Sequence, residues 1–219
     1  VVMIQAVLFD LDGTLLNTLD DLADSMNDTL RRQGYPVHPV EQYKYMVGNG
    51  MRMLAVRALP AQCRDDQRVQ QLLERFMQRY SRHALDKTRP YDGVLETLAA
   101  LKQRKIRMAV ITNKAHAAAQ IVLSRYFENC FDVVFGQKEG IPTKPDPQST
   151  KLVLAQLGVS PAHSLFVGDS SVDMQTAQNA GVVAVGALWG FRTKQELLEN
   201  GAAYVLQRPE QLLRLIEDF

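Results

Sequence analysis

Cysteine is nearly absent: Cys63 and Cys130 are the only two in 219 residues. They lie far apart and form no CxxC pair, which excludes a disulfide scaffold of the secreted kind and leads us to expect a reducing, cytoplasmic setting. Long hydrophobic runs are missing too. No stretch of about 18 apolar residues exists, and the apolar start Val1 to Val7 is broken by Gln5 and followed by acidic residues instead of a small-residue cleavage site. Neither an anchor nor an export signal is expected, and the start at Val1 leaves Met3 as a candidate first residue.

An excess of one charge is also lacking. Lys and Arg number 25 against 24 Asp and Glu, a net charge of +1, so no global field draws this chain to nucleic acid or to an anionic membrane. Any charge-based function must be local. There is no GxSxG elbow for a serine hydrolase, and no repeat or low-complexity tract. His38, His83, His116 and His163 lack the spacing of a metal site. What remains is an ordinary globular composition, 46% hydrophobic and 22% charged. Surface scaling at this length allows about 72% of the unfolded chain's surface to be buried, enough for a sizeable core.

Short apolar runs that end in polar or acidic residues recur at Met3 to Asp10, Met108 to Thr112, Val133 to Phe135, Ser164 to Asp169, Val182 to Ala187 and Ala203 to Leu206. These read as strands. Helical patterns lie between them: Val94 to Leu101, Pro147 to Leu157 before Gly158, and Ser171 to Ala180 before Gly181. Apolar strands alternating with helices predict an α/β fold, a buried parallel sheet with helices on both faces. Residues 17–88 break the rhythm, with Leu19, Leu22, Met26 and Leu30, then Leu72, Phe76 and Tyr80, at helical spacing. We expect a core from residues 1–16 and 89–219 and a helical insertion, 17–88, acting as a cap. An insertion at the C-terminal end of a strand sits where open α/β sheets bind ligands.

The polar clusters fall at strand ends. Asp10-Leu11-Asp12-Gly13-Thr14 places two carboxylates beside a glycine, an oxygen-rich setting suited to Mg²⁺. Gly13 lets the backbone approach a ligand and present N–H groups to an anion. Thr112 and Asn113 either donate to phosphate oxygens or cap a helix from Lys114 to Tyr126. Lys144 stands between prolines before a helix, and Gly168-Asp169-Ser170-Ser171-Val172-Asp173 closes a very apolar strand with two acids. Four carboxylates (Asp10, Asp12, Asp169, Asp173) around one crevice repel, each close pair by roughly 4 kcal/mol at an effective dielectric near 20. One Mg²⁺ and Lys144 leave a single negative charge over, and one protonated acid removes it. A carboxylate nucleophile, a neighbouring general acid, a metal and a phosphate-binding Thr describe phosphoryl transfer through an aspartyl-phosphate.

These residues resemble the four motifs of the haloacid dehalogenase superfamily of phosphohydrolases, in order Asp10-Leu11-Asp12-Gly13-Thr14, Thr112, Lys144 and Gly168-Asp169 to Asp173, over nearly the whole chain. The resemblance implies a Rossmann-like core with a helical cap inserted after the first motif. It makes Asp10 the nucleophile and a Mg²⁺ ligand, and Asp12 the general acid and base with its main-chain carbonyl on the metal. It gives Thr112 and Asn113 the phosphoryl group, has Lys144 orient Asp10, makes Asp169 a direct ligand, and puts Asp173 behind the ligands. A proton donor at Asp12 argues for ester hydrolysis over dehalogenation, because an alkoxide needs a proton and a halide does not.

Within the superfamily the chain is most similar to phosphoglycolate phosphatases, through Val47-Gly48-Asn49-Gly50, Tyr91-Asp92-Gly93-Val94, Thr112-Asn113-Lys114 and Leu188-Trp189-Gly190-Phe191. Phe135 to Gly140 departs from the glycine-glycine-acid pattern of many such enzymes. Small phosphorylated acids or sugar phosphates are the expected partners. Gly48, Asn49 and Arg52, or Lys44, are candidates to meet a substrate carboxylate, with an ordinary turn and a solvated side chain as the alternatives. Gly48-Asn49-Gly50 lacks the third glycine and the strand of a dinucleotide fingerprint. Trp189 reads as packed beneath the last loop. The competing functions are a β-phosphoglucomutase-like phosphomutase, a phosphatase for another sugar phosphate or pyrophosphate, and a receiver-like phospho-acceptor.

Overall fold

A computed structural model describes residues 3–219; Val1 and Val2, the first residues of the apolar start, lie outside the described residues. The chain divides into two compact units, one from the residues up to Leu16 together with Pro90–Phe219, the other from Asn17–Arg89.

The first strand, β1 (Ala6–Phe9), is wholly buried. The chain then builds the second unit from helices α1 (Leu19–Arg32), α2 (Tyr43–Met46), α3 (Met51–Ala58) and α4 (Asp66–His83). Helix α4 is capped by Asp65, whose side chain accepts from the Arg68 N–H at 3.0 Å. Its Val69, Leu72, Phe76 and Tyr80 recur every three or four residues and are all buried, as are Leu22, Met26 and Leu30 of α1. The two helices pack on these stripes, and Phe76 stacks on Tyr80 with ring centroids 5.6 Å apart. Asp21 is buried too. Its carboxylate accepts the N–H groups of Lys87 and Thr88 and so ties the end of the insertion to its first helix.

The remaining elements are α5 (Val94–Gln103), β2 (Arg107–Ala115), α6 (His116–Tyr126), β3 (Val133–Gln137), α7 (Gln148–Leu157), β4 (Ser164–Gly168), α8 (Ser171–Ala180), β5 (Val183–Ala187), α9 (Lys194–Glu199), β6 (Tyr204–Leu206) and α10 (Gln211–Glu217). The sheet order is β3-β2-β1-β4-β5-β6, with every neighbour parallel. Leu8, Ile111, Phe166, Val153 and Met174 belong to one buried apolar cluster of strands and helices. The fold is Rossmann-like. On either side of β1 the connections run in opposite directions across the sheet, and an open α/β sheet forms its ligand crevice at the carboxyl ends of strands around such a reversal.

Of the boundaries that differ from the sequence reading, three bear on the site. β1 is four residues long, shorter than Met3 to Asp10, because the residues before Ala6 lie short of the ladder with β2 and β4. β2 continues through Thr112, Asn113 and Lys114 to Ala115, with a register irregularity against β3. Helix α6 therefore starts at His116 behind Ala115, and neither Thr112 nor Asn113 caps it. The short helices α9 and α10 carried too little periodicity to be read.

Candidate active site

Two neighbouring strands and the helix after the second deliver the acids to one place. Asp10 follows β1 and its N–H bonds the Val167 carbonyl of β4 at 3.0 Å, continuing the ladder one step beyond the last apolar residue. Asp169 follows the end of β4, and Asp173 stands in the first turn of α8. Carboxylate oxygens of Asp10, Asp169 and Asp173 lie within 4.8 Å of one another, and all three residues are buried.

Lys144 answers part of this charge. Its ammonium lies 2.9 Å from Asp10 Oδ1 and also bonds Asp173 Oδ1. Burial works against that charge, but the two carboxylates more than offset it and hold the Lys144 pKa above its ordinary value. Burial pushes Asp10 up to about 7, with the Asp173 charge adding and Lys144 opposing. Asp169 is driven well above the usual carboxylate range by burial and then by Asp173 and Asp10. One ammonium is too little for three buried carboxylates. Hard oxygen donors with excess negative charge fit a divalent cation.

The surrounding groups fix these acids. Asp169 accepts the Thr14 hydroxyl at 3.1 Å and the Phe191 N–H at 2.8 Å. Asp173 Oδ2 accepts from both the N–H and the hydroxyl of Ser170, while Ser170 Oγ takes the Asp173 N–H in return. This is the capping box of α8, so the helix cap and the Lys144 contact are two uses of one side chain. Gly190 is obligatory, since a Cβ there would meet Asp169 Cβ and the Gly13 carbonyl at 2.3 Å. Trp189 donates Nε1–H to the Thr14 carbonyl at 2.8 Å, in keeping with a packed aromatic.

Two assigned residues have other tasks than the sequence suggested. Gly13 does not present its N–H to an anion, because that N–H donates to the Leu16 carbonyl at 2.9 Å. The glycine is needed for its φ of +88° and because a Cβ would lie 2.3 Å from Asp169 Oδ2. The Asn113 amide spans the Lys144 main chain, accepting its N–H at 2.8 Å and donating to its carbonyl at 3.2 Å. It holds the lysine's backbone in place. Thr112 is buried, and its hydroxyl accepts the Lys114 N–H at 3.1 Å, which leaves the hydroxyl proton to donate elsewhere.

Asp12 stands outside the three-carboxylate cluster. Its two oxygens bond the Lys114 ammonium at 2.9 and 3.1 Å. Sequence reasoning passed over Lys114, because the expected helix start would have turned it into solvent. The signal was its spacing: with the strand prolonged, Lys114 follows Thr112 by two residues, the period of one strand face. The second ammonium also changes the charge balance. With a dication and two lysines the site carries no net charge when all four acids are ionised, so a proton on Asp12 makes it cationic ahead of an anionic phosphoester.

The other candidates sit in the helical unit. Gly48 and Gly50 both have positive φ, 112° and 84°. Arg57 bonds the Asn49 carboxamide at 2.8 Å and the Met46 carbonyl at 2.9 Å, bracing the loop. Arg52 pairs with Asp66 at 2.7 Å and Lys44 with Glu41 at 2.6 Å, so both cations have carboxylate partners within the unit.

Residues 7–187 match the family described as haloacid dehalogenase-like hydrolase. The chain belongs to that family. A phosphoglycolate phosphatase of Pseudomonas putida is 38% identical over 215 residues, 95% of this chain and 78% of the relative. One from Mannheimia succiniciproducens is 33% identical over 95% of this chain and 96% of the relative. An N-acetylmuramic acid 6-phosphate phosphatase of Pseudomonas aeruginosa is 30% identical over 98% of this chain and 95% of its own length. A crystal structure from Lactobacillus delbrueckii subsp. bulgaricus, provisionally assigned as a phosphoglycolate phosphatase, superposes with a TM-score of 0.93 at 30% identity and 98% coverage of both chains. As a haloacid dehalogenase-like hydrolase with relatives of this kind, the chain is a phosphatase, an enzyme acting on small phosphorylated compounds. Among the described residues no helix is long and apolar enough to cross a membrane.

Proposed function

We propose that this phosphatase hydrolyses 2-phosphoglycolate to glycolate and phosphate through a phosphorylated Asp10, with Mg²⁺ as its metal and the helical unit as its cap. The observation that carries the chemistry is the Asp10 carboxylate, buried at the sheet's reversal point with Lys144 at 2.9 Å and two further carboxylates beside it. The substrate rests on relatives named phosphoglycolate phosphatase at 38% and 33% identity.

Asp10 attacks the phosphorus; a carboxylate–phosphorus bond forms as the ester oxygen–phosphorus bond breaks. Asp12 gives its proton to the departing alkoxide and then takes one from the water that attacks the phospho-Asp10, which releases phosphate and restores the free carboxylate. The Thr112 hydroxyl donates to a phosphoryl oxygen. Lys144, held through its main chain by Asn113, keeps Asp10 oriented and partly neutralised. Asp10, Asp169 and the Asp12 main-chain carbonyl would hold Mg²⁺, with Asp173 supporting them through Lys144 and Ser170. When bound, Mg²⁺ neutralises charge on the transferring phosphoryl group. Gly48, Asn49 and Arg52 are assigned to the substrate's far end, where Arg52 would exchange Asp66 for a carboxylate. Two free thiols, Cys63 and Cys130, support a cytoplasmic setting.

Phosphate release from a panel of two- to six-carbon phosphoesters, with Mg²⁺ and with chelator, tests this reading. We expect 2-phosphoglycolate to lead the panel and chelation to lower turnover by about 10³-fold or more, with Mg²⁺ restoring it. The relative acting on N-acetylmuramic acid 6-phosphate favours a second reading, a sugar-phosphate phosphatase, and a six-carbon ester leading the panel would establish it. Isomerised sugar phosphate in place of released phosphate would show a mutase.

Asp12→Ala is expected to lower kcat on 2-phosphoglycolate by about 10³-fold while still forming phosphoenzyme from p-nitrophenyl phosphate, whose leaving group needs no proton. Rapid-quench trapping of labelled protein checks this. Unchanged turnover in Asp12→Ala would remove Asp12 from the chemistry.

A further inference from the structure

We infer that Lys114 is the positioning residue of Asp12: it holds the acid–base carboxylate in its working orientation before substrate arrives. The inference rests on the reading of Asp12 as proton donor given above. Three features of the pair carry it.

Both oxygens of Asp12 share one ammonium, at 2.9 and 3.1 Å, which restrains rotation of the carboxylate as a single hydrogen bond would not. The exposure of the partners is unequal, the lysine side chain being 0% and the aspartate side chain 16% exposed. The anchor is sealed, while the acid stays within reach of a ligand. The anchor is also tied to the phosphoryl-binding group, because the Lys114 N–H donates to Thr112 Oγ1 at 3.1 Å. Thr112 and Lys114 sit at the end of one strand, so the donor aimed at phosphate and the holder of the proton donor share one rigid support. Displacement of a reacting group by about 1 Å can cost about 10²-fold in rate, which sets the scale of what such an anchor contributes.

The two lysines thereby divide three of the four acids between them. Lys144 serves Asp10 and Asp173, and Lys114 serves Asp12. A structural lysine would affect all reactions of the site alike, whereas a holder of the proton donor affects those steps that need the proton.

The test uses the full chain with Mg²⁺ and four variants: Lys114→Met, Lys114→Arg, Asp12→Asn and the double variant of Lys114→Met with Asp12→Asn. Leaving-group release in the first turnover is followed for 2-phosphoglycolate and for p-nitrophenyl phosphate. Lys114→Met should slow release from the alkyl ester by about 10²- to 10³-fold and from the aryl ester by less than about 10-fold, with KM for each changed by no more than about threefold. Lys114→Arg should recover at least about 10-fold of the loss, and it serves as the folded control if Lys114→Met is unstable. The double variant should be no slower than Asp12→Asn alone, as expected when two groups act as one unit. An equal fall on both esters, or a double variant slowed by the product of the single effects, would overturn the inference. So would a loss confined to KM for the carboxylate-bearing ester, which would make Lys114 a substrate contact. Wild-type rates in Asp12→Asn would instead overturn the proton-donor reading, and the Lys114 assignment with it.

Discussion

Asp10→Asn should lower turnover of every phosphoester by about 10⁵-fold or more, because the substitution removes the nucleophile itself. No labelled phosphoenzyme should form from any substrate, in contrast to the trapped intermediate expected of Asp12→Ala. The fold should survive and even gain. Asp10 is buried beside Asp169 and Asp173, and its folded pKa of about 7 lies well above the ordinary carboxylate value. A carboxyl group with a raised folded pKa loses its contribution to stability as pH rises through that value, since the unfolded chain ionises it more easily. Metal-free Asp10→Asn should therefore melt above the wild type at about pH 8, with the gap closing toward about pH 4 as wild-type Asp10 takes up its proton. A variant that melts below the wild type at the higher pH would mean that the Lys144 pair outweighs burial and repulsion.

Lys144→Met should be the most damaging single change to site and stability together. It strips the ammonium bonded to both Asp10 and Asp173 and leaves both carboxylates in a buried site. Breaking a buried pair by removing one partner typically costs about 3–5 kcal/mol, most of it from the charge left behind. Turnover should fall by about 10³-fold or more as Asp10 loses the cation that orients it. Urea denaturation and steady-state assay measure the two effects. Adding Asp173→Asn should return part of the lost stability, since it removes a stranded charge, but none of the activity. Were the double variant no more stable than Lys144→Met alone, the loss would lie in packing and not in uncompensated charge.

The contrast between these two predictions follows from what each side chain does for the cluster. Asp10 adds negative charge to a place that already holds too much, so its removal relieves the fold and ends the chemistry. Lys144 supplies the opposing charge, so its removal harms both. Natural active sites often keep such destabilising groups because the reaction needs them.

Much was legible along the chain. The alternation of apolar runs with helical stripes gave the parallel sheet, since strands buried on both faces, such as Ser164–Gly168, must be nearly all apolar. The stripe Leu72, Phe76, Tyr80 marked the buried side of the long helix in the insertion. Asp10 and Asp169 could be singled out because acids at the ends of apolar segments have no packing reason to be there, and Lys144, between prolines before a helix, because those acids call for a cation.

Other features depend on where the chain ends meet, which local pattern does not encode. Thr112-Asn113-Lys114 looked like a helix start because Thr and Asn are good caps, but parallel pairing with β3 carried the segment on to Ala115. That extension turned Lys114 into the partner of Asp12 and gave Asn113 to the Lys144 main chain across 31 residues of sequence. Likewise the Asp-Gly dipeptide at residues 12 and 13 reads as a ligand-facing turn, whereas the space beside Gly13 is taken by Asp169, and Arg52 and Asn49 read as open contacts but have partners in Asp66 and Arg57. Composition and periodicity thus determined the layered α/β architecture and which residue types would gather at the sheet edge, because burial is a property of segments. Which acid faces which lysine was decided only by the tertiary structure, because charge pairing at 3 Å depends on strand register and loop path between residues far apart in sequence.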